Sequence, residues 1–390
     1  MTSAPTRSLA TRLLVALLST LVAMTAALAL AAPAGASTAD DEARLFQLTN
    51  DARAANGRGP LAYDVAASRV ARAWAQELAR SANLRHNPSL TTQIDQQVTS
   101  AWTTLGENVG YAGSIDSVQQ AYMNSTGHRN NILGAYNRVG VGSARSSDGR
   151  VWTVVDFVQG PALTYVPANS FAPFASAAAF TNQQYLDFLG RGGDEGGLIA
   201  WTGSLLSGQS QAGLVASFMN SAEFGSLVEP VTRLYLAYFG RNPDAAGLMY
   251  WVGQLRNGTP LTAVSNAFAG SNEFVQMYGS LDDNGFVNRV YTNVLGRGAD
   301  AGGLAYWVGR LTGHQLDRGG VMTGFSESPE NRNATFARVK VVTAFLGMLR
   351  RAPDAGGQSY WIGQLNSGRS VNDLISGILV SPEYRGRFGG

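Results

Sequence analysis

Gly296-Arg297-Gly298-Ala299-Asp300-Ala301-Gly302-Gly303-Leu304-Ala305-Tyr306-Trp307 recurs in outline through the second half of the chain, and its spacing decides the fold there. The skeleton Asp-x-x-Gly-x-x-x-Trp stands at Asp194/Gly197/Trp201, Asp244/Gly247/Trp251, Asp300/Gly303/Trp307 and Asp354/Gly357/Trp361. Gly-Arg precedes it at Gly190-Arg191, Gly240-Arg241 and Gly296-Arg297, and becomes Arg350-Arg351 in the last copy. Each unit closes on Ser-x-Glu, at Ser221/Glu223, Ser271/Glu273, Ser328/Glu330 and Ser381/Glu383. Self-similarity at this period marks an array of supersecondary units. Leu205, Leu255, Leu311 and Leu365 follow the tryptophans at helical spacing, so Trp and Leu share one helix face. The Asp sits where an N-cap accepts backbone N–H bonds. Tyr185, Phe188 and Leu189, with the same spacing from Tyr235, Tyr291 and Phe345, predict a helix before it. Each unit therefore reads as a bundle of short helices, over 177–226, 227–280, 281–336 and 337–390.

The first half follows another pattern. Leu45, Phe46, Leu48, Ala52 and Ala55 recur at helical spacing between Asp40 and Gly57, and a second helix starts at the N-cap Asp64 with Val70, Ala71, Trp74 and Leu78 as its apolar stripe. Ser114 opens a short helix towards Tyr122. Arg138 to Gly142 and Val151 to Phe157 are β-branched and aromatic and flank Ser-Ser-Asp-Gly, which predicts a hairpin. Helices followed by strands, with no βαβ alternation, give an α+β domain over 37–160. A Pro/Ala/Ser linker, 161–176, leads into the all-α repeats.

Residues 1–36 carry Arg7 and Arg12, an uncharged run from Leu13 to Ala32, and Ala34-Gly35-Ala36, the pattern of a signal peptide cut after Ala36. The expectation is a secreted chain, in which no later segment could span a membrane. The net charge of +2 comes from those two arginines, which argues against nucleic acid as a partner. Lys340 is the only lysine among 29 basic residues, and there is no cysteine, so neither a thiolate nucleophile nor a Cys-ligated zinc is available. Imidazole chemistry is limited to His86, His128 and His314.

Leu48-Thr49-Asn50-x-x-Arg53 with Gly59-Pro60-Leu61, then Gly106-Glu107-Asn108, Ser125-Thr126-Gly127-His128-Arg129 and the two closing strands occur in an order that resembles the CAP superfamily of cysteine-rich secretory, antigen 5 and pathogenesis-related proteins. The resemblance covers about residues 40–160 and implies an α-β-α sandwich whose cleft carries two histidines and two acids, binding a divalent metal in some members. Position by position, His86 matches the first histidine, Glu107 the acid of Gly-Glu-Asn and His128 the second histidine. The place expected for the second acid falls on Ser125. His86, His128 and Glu107 could hold zinc or another divalent ion, or Glu107 could orient an imidazole. Serine in place of a carboxylate weakens any general-base role, and a Ser125/His128/Glu107 nucleophile arrangement lacks an oxyanion hole. The bland reading is a hydrogen-bonded network that ties loops together. Asn108 fits a loop-fixing amide, and Arg129 a surface arginine.

The repeats resemble the phycobilisome-linker-like repeats of secreted bacterial proteins, which have no assigned function; the resemblance implies a helical module and attachment or assembly. Two readings of the tryptophans compete, sugar platforms and core packing. The leucine partner in every copy favours core. Arg191, Arg241, Arg297 and Arg351 are expected to brace a turn or pair with the Asp. The whole reads as a secreted, non-catalytic binding or surface-associated protein whose partner is an envelope or extracellular ligand, a cell-wall glycan or a protein; a metal-dependent hydrolase and a structural envelope protein are the alternatives.

Overall fold

The computed structural model describes residues 37–389. The signal-peptide expectation lies outside the described residues. Within 38–389 the first part is the expected α-β-α sandwich. Helix α1 (Thr38–Ala55) leads into strand β1 (Ala62–Tyr63), helices α2 (Val65–Ser81) and α3 (Leu90–Gln97), strand β2 (Thr104–Ala112), helices α4 (Ile115–Asn124) and α5 (Thr126–Ile132), and strands β3 (Arg138–Arg145) and β4 (Val151–Gln159). The sheet order is β1-β3-β4-β2, with β2, β4 and β3 antiparallel and β1 parallel to β3.

Asp64 caps α2 as expected, accepting from the backbone N–H groups of Ala66 and Ala67. Gly140 and Gly142 let α2 lie against β3, because a Cβ there would stand 2.3 Å from the Ala67 carbonyl carbon and 2.1 Å from the Arg72 nitrogen. Ala71, Ala75 and Leu78 pack on Val109, Trp152 and Val154 on that face. Phe46, Tyr122 and Ile132 join Val139, Val141, Val155 and Phe157 in the core of the other face. The motif residues that looked like fingerprints are loop clamps. Asn50 exchanges hydrogen bonds with the Leu61 backbone at 2.8 and 3.2 Å, and the buried Arg53 guanidinium donates to the carbonyls of Gly59, Ile132 and Gly134 at 2.7–2.9 Å.

The repeat region is helical throughout. Its elements are α6 (Ala177–Gln184), a π-helical turn (Tyr185–Leu189), α7 (Glu195–Leu206), α8 (Gln211–Met219), α9 (Ala222–Phe239), α10 (Ala245–Arg256), α11 (Leu261–Ala269), α12 (Asn272–Tyr278) and α13 (Asp283–Leu295). There follow α14 (Ala301–Thr312), α15 (Arg318–Ser326), α16 (Pro329–Leu349), α17 (Ala355–Asn366), α18 (Val371–Leu379) and α19 (Pro382–Gly386). The motif Asp caps α7, α10, α14 and α17, accepting from the Gly N–H three residues on at 2.8 Å in every copy. The motif Gly has a separate cause. A Cβ on Gly197, Gly247 or Gly303 would meet the hydroxyl of Tyr185, Tyr235 or Tyr291 within 2.7 Å, whereas at Gly357, where Phe345 replaces the tyrosine, only Asp354 is near.

The arginines do brace the turn, but their principal partner is the closing glutamate. Arg191–Glu223, Arg241–Glu273, Arg297–Glu330 and Arg351–Glu383 are all two-point pairs between 2.5 and 2.9 Å, while the motif Asp stands 3.6–3.7 Å away in two copies. Where the glycine of Gly-Arg is lost, Arg350 adopts its left-handed conformation, φ 58° against 63–66° for Gly190, Gly240 and Gly296. Its side chain then reaches the fully buried Asp187 at 2.7 Å, joined there by Arg387.

The repeats form neither a solenoid nor separate beads. The third helix of the first copy, α8, packs on that of the fourth, α18, and α11 of the second on α15 of the third. The buried cations show the same exchange: Arg233 of α9 pairs with Glu327 in the second half, and Lys340 of α16 donates to the Met219 carbonyl and Asn220 side chain in the first half, both cations meeting Glu229. That is the pattern of a pseudo-two-fold relation between repeats 1–2 and repeats 3–4.

The Pro/Ala/Ser segment does not act as a free tether. Phe171 is buried, Gln211 donates to the Ser170 carbonyl, and α1 packs on α6 and α7, with the Thr38 hydroxyl bonded to Glu195. One hydrophobic core runs from Phe46 through Phe171 to Phe180 and Leu206. Among the described residues no helix is long and apolar enough to cross a membrane.

Candidate functional site

Strand β2 forms one edge of the sheet, and Glu107 lies in its middle, 7 % exposed. The chain leaving α2 bends back so that His86 Nδ1 meets Glu107 Oε1 at 2.6 Å and the Asn87 N–H donates to the same carboxylate at 3.0 Å. The acid thus ties the 82–89 loop to the sheet edge, while the His86 ring stays two-thirds exposed. On the far side of β2, Asn108 is fully buried and its side-chain N–H donates to the His128 carbonyl at 3.0 Å. Asn131 completes the clamp, donating to Asn108 Oδ1 at 2.9 Å and to the Glu107 carbonyl at 3.1 Å.

His128, in α5, rests edge-on against Tyr122 with ring centroids 5.0 Å apart. Its imidazole is pushed below the usual histidine range by partial burial and then by the nearby His86, so both effects favour the neutral ring. The structure therefore gathers His86, Glu107, Asn108 and His128 around the β2 edge. Ser125 sits at the start of α5 and makes no side-chain capping bond. Arg129 is exposed.

Sequence reading passes over two residues. Asn131 follows His128 by three on the same helix, and that spacing was its only signal. Asp156 is the other. It pairs with Glu107 in the β2–β4 register, is 1 % exposed, and neither carboxyl oxygen has a hydrogen-bond partner. Burial, with the Glu107 charge adding to it, holds its carboxyl well above the ordinary range. A lone acid between Val154-Val155 and Phe157-Val158 was the signal for it.

Among the described residues no group of three or more His, Cys, Asp or Glu side chains is placed to hold a metal ion. Glu107 is engaged with His86 and Asn87, and Asp156, across the sheet from it, is 1 % exposed with neither oxygen hydrogen-bonded. As arranged, these groups do not make a ready metal site.

Residues 46–157 match the cysteine-rich secretory protein family, the CAP domain. Residues 168–228, 229–276, 265–335 and 341–388 match a domain of unknown function, DUF4214, and these matches together take in more than half of the chain. The chain belongs to the DUF4214 family. In this DUF4214 protein the four copies follow a CAP domain. Over 117 residues it is 33 % identical to the uncharacterized protein YkwD of Bacillus subtilis (strain 168), a match that covers 29 % of this chain and 45 % of that protein. The chain thus spans less than half the length of that curated relative. Among solved structures, an extracellular protein containing an SCP domain from Bacillus anthracis is 23 % identical at a TM-score of 0.28, covering 30 % of this chain and 40 % of that one. An outer surface protein of Borrelia burgdorferi is 18 % identical at a TM-score of 0.30, covering 32 % of this chain and 97 % of its own.

Proposed function

We propose that this CAP–DUF4214 chain is an exported, non-catalytic binding protein, in which the cleft at the β2 edge takes a small ligand and the docked repeats attach it to the cell envelope. The observation that carries the reading is the employment of Glu107. A carboxylate 2.6 Å from the His86 ring nitrogen that also accepts from the Asn87 N–H is engaged in holding a loop in place, and Ser125 supplies no second base. The exposed His86 ring and the half-buried, neutral His128 give the cleft an imidazole lining that suits a neutral or acidic small molecule. Export is supported by Arg7, Arg12 and the apolar run that ends at Ala34-Gly35-Ala36.

The test uses the full chain expressed with its leader. The secreted form should start at or near Ser37 and sediment with envelope fragments. Met1 on the mature protein, or a chain found only in the supernatant after mixing with envelopes, overturns the reading. A metal-assisted hydrolase is the reading it displaces. That one would regain the lead if zinc titration of the mature chain gave a stoichiometric heat that His128→Ala abolishes, together with ester or peptide hydrolysis that depends on the added zinc.

A further inference from the structure

The second helices of the four repeats share one unexplained feature. Gly203, Gly253, Gly309 and Gly363 stand two residues after the motif tryptophan, in the interior of α7, α10, α14 and α17. A mid-helix glycine weakens a helix by about 1 kcal/mol relative to alanine. In the first copy the reason is visible. A Cβ on Gly203 would come to 3.5 Å of Val65 and 3.7 Å of Tyr63, so this face of α7 is where the CAP domain docks. At Gly253, Gly309 and Gly363 a Cβ would meet nothing within 4 Å.

Those open faces carry what the covered one lacks. Three residues before each open glycine stands a tyrosine, Tyr250, Tyr306 or Tyr360, with 58, 52 and 55 % of its surface exposed; the first copy has Ala200 there. One turn beyond each tyrosine is Gln254, Arg310 or Gln364, against Ser204 in the first copy. The turn before it carries Ala246, Gly302 or Gly356, so small residues border the ring on both sides along the helix. The motif tryptophan fixes the ring from below, edge to face at centroid distances of 4.9, 5.0 and 5.3 Å. In the third copy the Arg310 guanidinium already lies over its tyrosine at 5.1 Å. Asn242, at the foot of α10, donates to Gln358 of α17, which brings two of these helices together.

We propose that Tyr250 with Gln254, Tyr306 with Arg310 and Tyr360 with Gln364 are three saccharide subsites, each stacking one pyranose ring of a polysaccharide on the tyrosine while the amide or guanidinium bonds its hydroxyls. This rests on the attachment reading above and names its partner. A protein partner would call for a broad apolar patch, yet each of these helices exposes its tyrosine as its one large hydrophobic side chain. A held aromatic ring beside an amide or a guanidinium is the chemistry of a sugar face, apolar on its C–H side and polar at its rim. Nucleic acid fits poorly, because only Arg310 among the six residues could meet a phosphate.

The test presents the full mature chain with protein-free peptidoglycan, chitin and cellulose, followed by a soluble hexasaccharide of whichever is retained. Wild type should bind at least one, each Tyr→Ala change should weaken the hexasaccharide by about 3- to 10-fold, and the triple variant should wash off the solid. Tyr250→Phe should bind like wild type, since the ring does the stacking. Melting temperatures of the single variants should match wild type, because exposed positions contribute little to stability. A wild type that sediments with whole envelopes but with none of the pure glycans, or a triple variant retained by glycan as well as wild type, overturns the saccharide subsites and leaves the attachment reading intact. If whole envelopes do not retain the wild type at all, the attachment reading itself falls and takes this proposal with it.

Discussion

Asp156 stands directly across the sheet from Glu107, two carboxyl side chains on the same face of neighbouring strands. Only Glu107 has partners; both Asp156 oxygens are buried and unbonded. With its pKa raised above the ordinary carboxyl value by burial and by Glu107, Asp156 keeps its proton in the folded chain over a range of pH where the unfolded chain has released it. The folded state binds more protons there, so stability falls as pH rises through that range. Asp156→Asn is neutral at every pH and should remove this part of the decline. Urea midpoints of variant and wild type should separate progressively as pH is raised from about 4, the variant becoming the more stable. Parallel curves would show that Asp156 is ionised and accommodated in the fold.

His128 is expected to titrate below the ordinary histidine value, because partial burial and the charge of His86 both disfavour its protonated form. Proton NMR of the mature chain should resolve it from His86 and His314. Removing one of the two causes by His86→Ala should move the His128 midpoint upward without bringing it fully to the free value. No movement would mean that the two rings do not share a cleft in solution.

The fold was legible wherever a residue acts through local geometry. Asp64, Ser114 and the four motif aspartates announce helix starts because capping needs only a short side chain and the next turn. Longer-range facts were less visible. The sequence shows Gly-Arg and Ser-x-Glu as two separate signatures, and only the fold brings Arg191 to Glu223 across 32 residues. The first repeat also meets the fourth through Asp187 with Arg350 and Arg387, contacts that no repeat spacing encodes. In the cleft, Gly-Glu-Asn and Gly-His-Arg point to Glu107, Asn108 and His128, whereas Asp156 comes opposite Glu107 through strand register, a property of the sheet that no local motif carries.

The Arg–Glu clamp should be worth little in each copy. Arg191 and Glu223 are each about one-third exposed, so water screens the pair even though the contact is two-point at 2.7 and 2.9 Å. A double-mutant cycle with Arg191→Ala and Glu223→Ala should return a coupling of about 1 kcal/mol or less. Arg191 also lies over Tyr185 at 4.9 Å, so Arg191→Ala alone should cost more than Glu223→Ala alone. Equal single costs, or a coupling well above 1 kcal/mol, would assign the clamp a larger share of repeat stability.

Trp251 decides between core and platform for the motif tryptophans. Core packing was the favoured reading; Trp251 is half-buried, with its ring against Phe268 of α11 at 5.4 Å. The same packing recurs with Trp201 on Phe218 and Trp307 on Phe325, and in the fourth copy Trp361 lies against the space left by Gly377. The tryptophan therefore joins the second helix of a repeat to the third, while its neighbour Tyr250 takes the exposed place. Because the ring is only partly enclosed, Trp251→Ala should cost about 3 kcal/mol, the lower end of the usual range for a large aromatic. The loss should travel along packing rather than along sequence. Helix α11 rests on α15, so hydrogen exchange should quicken in the second and third repeats together while α8 and α18, which pair with each other, keep their protection. Unfolding that stays at the wild-type midpoint, with glycan retention lost, would make Trp251 part of the binding surface. A loss of protection spread evenly over all four copies would show that the repeats unfold as one unit and that their pairing carries no separate stability.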